Sequence, residues 1–166
     1  GWGHDLLPSL SLSTDPEHHK ENVTTFIFKP TVHHCNANST VHGGCIATVF
    51  DACTSVALMG RYSAQKWGGG GVSRGLGCTY LKGITIHDES EGEEGKNDVL
   101  VDHSPPIHFP IPLSNPKTNT PTPSPATMKR RTGEVLAICE HSKVNIVGVE
   151  LPGSKEKGRE GKESKL

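Results

Sequence analysis

The chain has 166 residues, 33% of them hydrophobic and 21% charged, which is the length and make-up of one globular domain with a core of its own. Lys and Arg number 17 against 18 Asp and Glu, for a formal net charge of -1. That balance excludes binding of nucleic acid or an anionic membrane through a global positive field, so an anionic ligand has to be held by local groups.

Residues 1–20 are expected to act as a cover segment, with Leu6, Leu7, Leu10 and Leu12 on one side of a short helix that Pro8 interrupts. Residues 23–28 (VTTFIF) are β-branched and aromatic and stop before Pro30, which predicts a strand. Residues 31–41 form a loop rich in His and Asn. From 43 to 59, Ile46, Val49, Phe50, Cys53, Val56 and Ala57 follow the spacing of a buried helical stripe, and Gly60 with the run Gly68 to Gly71 ends it. Polar interruptions exclude a membrane span there.

Residues 72–86 have strand composition, with glycines that imply bulges or close backbone approach. Residues 88–97 read as an acidic, hairpin-like connection, and 99–101 begin another strand. The pattern then lapses, because 103–126 holds eight of the twelve prolines. Strand character returns over 134–149, and 153–166 is a polar, lysine-rich tail expected to be disordered. The expected organisation is one domain over 1–152 followed by that tail.

The cysteines Cys35, Cys45, Cys53, Cys78 and Cys139 form no Cys-x-x-Cys pair and are odd in number, the usage of a reducing compartment. The first residues lack the zones of a secretory signal, so the sequons at Asn22 and Asn38 are not expected to carry sugar. The paired histidines His18-His19 and His33-His34, the latter followed by Cys35, lack a partner motif at ligand spacing and read as loop residues, so no metal is expected.

Asp51 is the only formally charged side chain in 43–60, and its small neighbours suggest a partly buried acid with a function rather than one of many surface charges. At the helix start, His42-Gly43-Gly44 places two residues without side chains where first-turn N–H groups point outward, so a thioester carbonyl could dock and its developing oxyanion be stabilised by the Gly43 N–H. Taken alone, the tripeptide is only a tight turn. Asp51 follows Gly43 by eight residues, about 12 Å along a helix, whereas a base must lie within about 3 Å of the reacting atoms or one water away. If both act, Gly43 of one copy must meet Asp51 of another across a two-fold axis.

Asn36-x5-His42-Gly43-Gly44-x6-Asp51, followed by Gly71-Val72-Ser73 and Thr79-Tyr80-Leu81, resembles the PaaI-like acyl-CoA thioesterases, particularly their small eukaryotic members. The stretch Thr132 to Ala137 with Glu140-His141-Ser142-Lys143 is similar to that family's last strand. The resemblance implies an α+β hotdog fold, a long central helix wrapped by an antiparallel sheet, assembled as a homodimer or homotetramer and needing no cofactor. It implies that Asn36 and His42 orient and polarise the carbonyl with the Gly43 N–H as oxyanion donor. Asp51 of the partner would activate water or act as nucleophile, and Ser73 would position the water.

For the substrate, acyl-CoA, Gly44, Arg74, Lys82, His141 and Lys143 are candidate contacts, with Lys143 best supported by the resemblance. Taken singly, Asn36 reads as a loop cap, Ser73 as a strand hydroxyl, His42 as structural and the basic residues as solvated charges. Ser164-Lys165-Leu166 has the form of a peroxisomal address read by an import receptor, with cytoplasm or mitochondrion as alternatives.

Between Asp102 and Thr127 the resemblance lapses. Proline has no N–H to give a sheet, so 103–126 is expected to replace or interrupt a strand and leave the sheet weak. Two rivals therefore stay open: a non-catalytic hotdog that binds acyl-CoA or merely dimerises, and an enoyl-CoA hydratase, which Asp51 without a paired histidine fits less well.

Overall fold

The computed structural model describes residues 3–18, 21–61, 71–86, 95, 97–104 and 122–144. Among the described residues six strands pair antiparallel throughout: β1 (Leu10–Leu12), β2 (Thr24–Phe28), β3 (Val72–Tyr80), β4 (Val99–His103), β5 (Thr122–Arg130) and β6 (Val135–Val144). Their spatial order is β1-β2-β4-β5-β6-β3. A single turn of helix, α1 (Gly3–Leu6), precedes them, and α2 (Gly43–Arg61) lies between β2 and β3 in the chain.

The strand period of two turns one face of this sheet apolar: Phe26 and Phe28 of β2, Val99 and Val101 of β4, Met128 of β5, and Ala137 and Cys139 of β6 are buried together. Helix α2 packs on that face. Its buried residues fall in adjacent couples one turn apart, Cys45 and Ile46, Val49 and Phe50, Cys53 and Thr54, Ala57 and Leu58. Full burial of a side chain such as Phe28 or Phe50 stabilises the fold by about 1.5–3 kcal/mol. By length and composition α2 could cross a membrane, but its apolar stripe is covered by the sheet.

Val56, expected in the stripe, is 53% exposed, because it lies between the couples rather than on them. The N-terminal leucines divide in the same way: Leu6 is buried and Leu10 packs on the core, while Leu7 and Leu12 are exposed. Instead of one interrupted helix, the segment passes from α1 through a tight turn at Pro8 into β1. Strand β3 ends at Tyr80 rather than running on to Ile86, since the N–H groups of Leu81 and Lys82 both converge on the Leu136 carbonyl.

The expected break in the sheet is overturned in its described part. Strand β5 begins at Thr122, five residues before the resemblance resumes, and it pairs with β4 on one side and β6 on the other. Residue orientation explains how Pro123 and Pro125 are accommodated. The Ser104 N–H donates to the Pro125 carbonyl, so residue 125, and with it 123 two places back, directs its backbone groups toward the β4 side. Strand β4 ends at His103, so the donor that Pro125 lacks costs no bond to that strand, and Ser124 and Ala126 keep the bonds to β6. The acidic connection at 88–94, the Pro-rich stretch 105–121 and the tail from 145 on lie outside the described residues.

Candidate active site

Two polar centres sit at different levels of α2. At its start, His42 Nδ1 accepts the Gly44 N–H at 2.9 Å, so this first-turn donor is taken. The Tyr80 hydroxyl donates to the Gly43 carbonyl at 2.9 Å, and a Cβ added to Gly43 would lie 3.4 Å from the Tyr80 ring. Glycine there keeps the helix start open beside an aromatic ring. Of the two glycine amides, only that of Gly44 is bonded to His42.

The second centre surrounds Asp51, two turns on. Ser73 Oγ donates to Asp51 Oδ1 at 2.9 Å, and Lys143 Nζ donates to Ser73 Oγ at 3.3 Å. His141 Nε2 lies 3.3 Å from the same Asp51 oxygen. Thr54 Oγ1 is 2.7 Å from the Phe50 carbonyl and 2.6 Å from His141 Nδ1. A carbonyl cannot donate, so the Thr54 proton goes to Phe50, and Nδ1 carries the imidazole proton toward Thr54. Nε2 then faces Asp51 as a lone pair, which agrees with its having no hydrogen-bond partner despite the short distance.

Burial pushes the His141 pKa down, and neighbouring Lys143 pushes the same way, against a smaller opposing pull from Asp51. The contact with Asp51 is therefore not an ion pair at neutral pH. Lys143 is also held below the usual lysine range by burial, with Asp51 opposing. His141 is fully buried and Lys143 nearly so, whereas the Asp51 side chain is 47% exposed. The arrangement is a carboxylate open to solvent on one side, held by the exposed Ser73 hydroxyl and backed by the buried Lys143 and His141.

The model of the thioesterase superfamily matches residues 38–93, which contain the helix start, Asp51 and Ser73. Zebra fish thioesterase superfamily member 2 superposes with a TM-score of 0.61 at 21% identity, over 86% of each chain. The chain has the hotdog fold. The Escherichia coli PaaI protein of the phenylacetic acid degradation operon follows, with a TM-score of 0.58 at 10% identity over 82% of each chain. The smu.793 protein of Streptococcus mutans, in its structure with acetyl CoA, gives 0.56 at 14% identity over 82% of this chain and 87% of that one. No curated protein matches the chain by sequence.

Within this hotdog, the sequence-derived candidates divide into three groups. Asp51, Ser73, His141 and Lys143 come together, but His141 and Lys143 lie beneath the carboxylate rather than on a surface where a phosphate could reach them. His42, Gly43 and Gly44 form the helix start, about 12 Å away along α2. Asn36 closes its own loop: its Oδ1 accepts the Asn38 N–H at 2.8 Å and the Thr40 hydroxyl at 3.1 Å. Lys82 is exposed and ion-paired with Glu134, and Arg74 is an exposed residue at a bulge in β3.

Sequence reasoning missed Thr54 and Tyr80 as parts of the two centres. Thr54 had a signal, since it follows Asp51 by three residues and so shares its helix face. Among the described residues no group of three His, Cys, Asp or Glu is placed to hold a metal. His34 Nδ1 instead accepts the Thr31 N–H at 2.9 Å.

Proposed function

We propose that the chain hydrolyses acyl-CoA thioesters to the free acid and coenzyme A, at a site built by two copies. The observation that carries this reading is the half-exposed Asp51 carboxylate fixed by Ser73, on the same helix as an oxyanion donor too distant to serve it. A water touching Asp51 and Ser73 gives its proton to the carboxylate as its oxygen attacks the thioester carbon. The Gly43 N–H of the partner subunit takes the developing negative charge on the carbonyl oxygen. Collapse of that intermediate breaks the C–S bond, and the departing coenzyme A sulfur recovers the proton.

Dimer formation is supported by the sheet edge. Strand β3 is the last strand in the order, nine residues long, with a bonding edge that β6 does not use. Val72, Leu76, Tyr80 and Leu81 are exposed beside it. A second copy pairing along β3 would cover these residues and set the two α2 helices antiparallel. An acyl-CoA substrate is supported by the solved relatives, one holding acetyl CoA and another, from Streptococcus pneumoniae, coenzyme A. The non-catalytic rival rested on a broken sheet, and β5 pairs on both sides.

The deciding experiment is free-thiol release from a panel of acyl-CoA esters by the purified chain. Turnover of at least one ester is expected. Folded protein that binds these esters without releasing thiol would overturn the reading in favour of the binding protein.

A further inference from the structure

Cys78 and Cys139 are direct partners across the ladder between β3 and β6. The bond that closes this ladder tells which kind of pair they form. The Leu81 N–H donates to the Leu136 carbonyl at 2.9 Å, so residues 81 and 136 are a hydrogen-bonded couple. Antiparallel couples alternate, which makes 79 and 138 bonded, and 80 with 137 and 78 with 139 non-bonded. A non-bonded couple brings Cα atoms to ~4.5 Å and directs both side chains to one face, within the ~4.4–6.8 Å that a disulfide spans.

Both side chains point to the α2 face: Cys139 belongs to the core, and the partly buried Cys78 packs against it. Their closeness also shows in the Cys139 thiol, which burial pushes up and the adjacent Cys78 pushes up further. All five cysteines are free. Cys35, Cys45 and Cys53 lie outside the strands, and no ladder brings any two of them opposite each other.

We propose that Cys78 and Cys139 are an oxidisable dithiol that peroxide closes into a disulfide joining β3 to β6. Cys78, the more exposed sulfur, is attacked first. Its thiolate breaks the O–O bond of hydrogen peroxide and becomes a sulfenic acid, and the released hydroxide takes up a proton as water. The Cys139 sulfur then displaces hydroxide from the sulfenic sulfur. The S–S bond forms, the S–O bond breaks, and the Cys139 proton leaves with the hydroxide as a second water. Two thiols and one peroxide thus give one disulfide and two waters. Nothing in this step depends on thioester hydrolysis.

The test uses the native full chain treated with hydrogen peroxide, alkylated with iodoacetamide in denaturant and digested with trypsin. Cleavage at Arg74, Lys82, Arg131 and Lys143 isolates peptides 75–82 and 132–143, with one cysteine each. The expected product is the two peptides joined, lighter than their sum by two hydrogens and split by dithiothreitol, with Cys35, Cys45 and Cys53 alkylated. Peptides 75–82 and 132–143 recovered unlinked, or Cys78 joined to another cysteine, would overturn the proposal. In Cys139→Ser, Cys78 has no partner, so dimedone should trap its sulfenic acid. Absence of that adduct would overturn the order of attack.

Discussion

Ser73 Oγ reaches Asp51 because the β3–β6 ladder slips by one residue between Ser73 and Gly75, leaving Arg74 as an extra residue in β3. Leu76, Cys78 and Tyr80 face the helix together with His141, Cys139 and Ala137 opposite them. Strict alternation would point Ser73 the other way, and the bulge restores it to the face it shares with Lys143.

Deleting Arg74 should therefore close the bulge and leave Ser73 opposite Lys143 on the helix face, whereas Ser73→Ala removes the hydroxyl itself. Ser73→Ala loses a hydrogen bond to the carboxylate, so a fall in kcat of roughly tenfold is expected from it, while the deletion should keep most of the activity. Thiol-release kinetics beside a circular dichroism spectrum would check this. A fall of roughly tenfold after the deletion as well would show that the face shared with Lys143 is not enough to hold Ser73 on Asp51.

Asp51→Asn preserves size and polarity at a half-exposed position, so the melting temperature should hardly move. Turnover should fall by about 10² to 10⁴, the usual effect of losing a general base, with acyl-CoA binding largely retained. Near-normal kcat in this variant would sink the proposed chemistry.

Two inactive variants should complement each other. Gly43→Pro removes the oxyanion donor at a helix position that tolerates proline, and Asp51→Asn removes the base. A mixed dimer holds one site with both groups intact, so activity should return after subunit exchange. No recovery in verified heterodimers would place the site within one chain.

The β3 edge offers an independent check on assembly. By the same alternation, the N–H of Leu76 faces away from β6, so Leu76→Pro spares the internal ladder and removes a donor from the open edge. The variant should run as a monomer in light scattering after gel filtration and lose thioesterase activity. A dimer that survives this substitution would move the interface elsewhere.

Acid should weaken the fold through its buried histidines. Burial, with Arg61 and His141 nearby, lowers the His103 pKa from 6.5 to about 4. The unfolded chain binds this proton first as pH falls, so stability decreases from about pH 6.5 down to the folded pKa and is unaffected above. His103 alone should contribute a loss on the order of 2 kcal/mol between pH 6.5 and 5. His141, also lowered, adds in the same direction. Urea midpoints at pH 7 and 5 should converge in His103→Gln, and an unchanged gap would count against this assignment.

The α2 segment and its buried stripe were legible in the sequence because their determinants are local. The stripe running from Ile46 to Ala57 follows the helical period, and the isolated charge of Asp51 stands out against small neighbours. The Gly43 to Asp51 spacing already separated the two centres, since helix rise depends on nothing distant. Three features were decided only in tertiary structure. Pro123 and Pro125 fit β5 because β4 ends at His103, a limit set by another strand. His141 and Lys143 are buried beneath Asp51 because β6 alternates and Leu76 and Ser73 stand opposite them on β3, and neither fact is visible in the side chains themselves. Thr54 supports His141 across 87 residues of chain, a pairing that no local period encodes. Local spacing specifies which residues share a face, but the neighbour that meets that face depends on strand order and register, which the whole sheet sets.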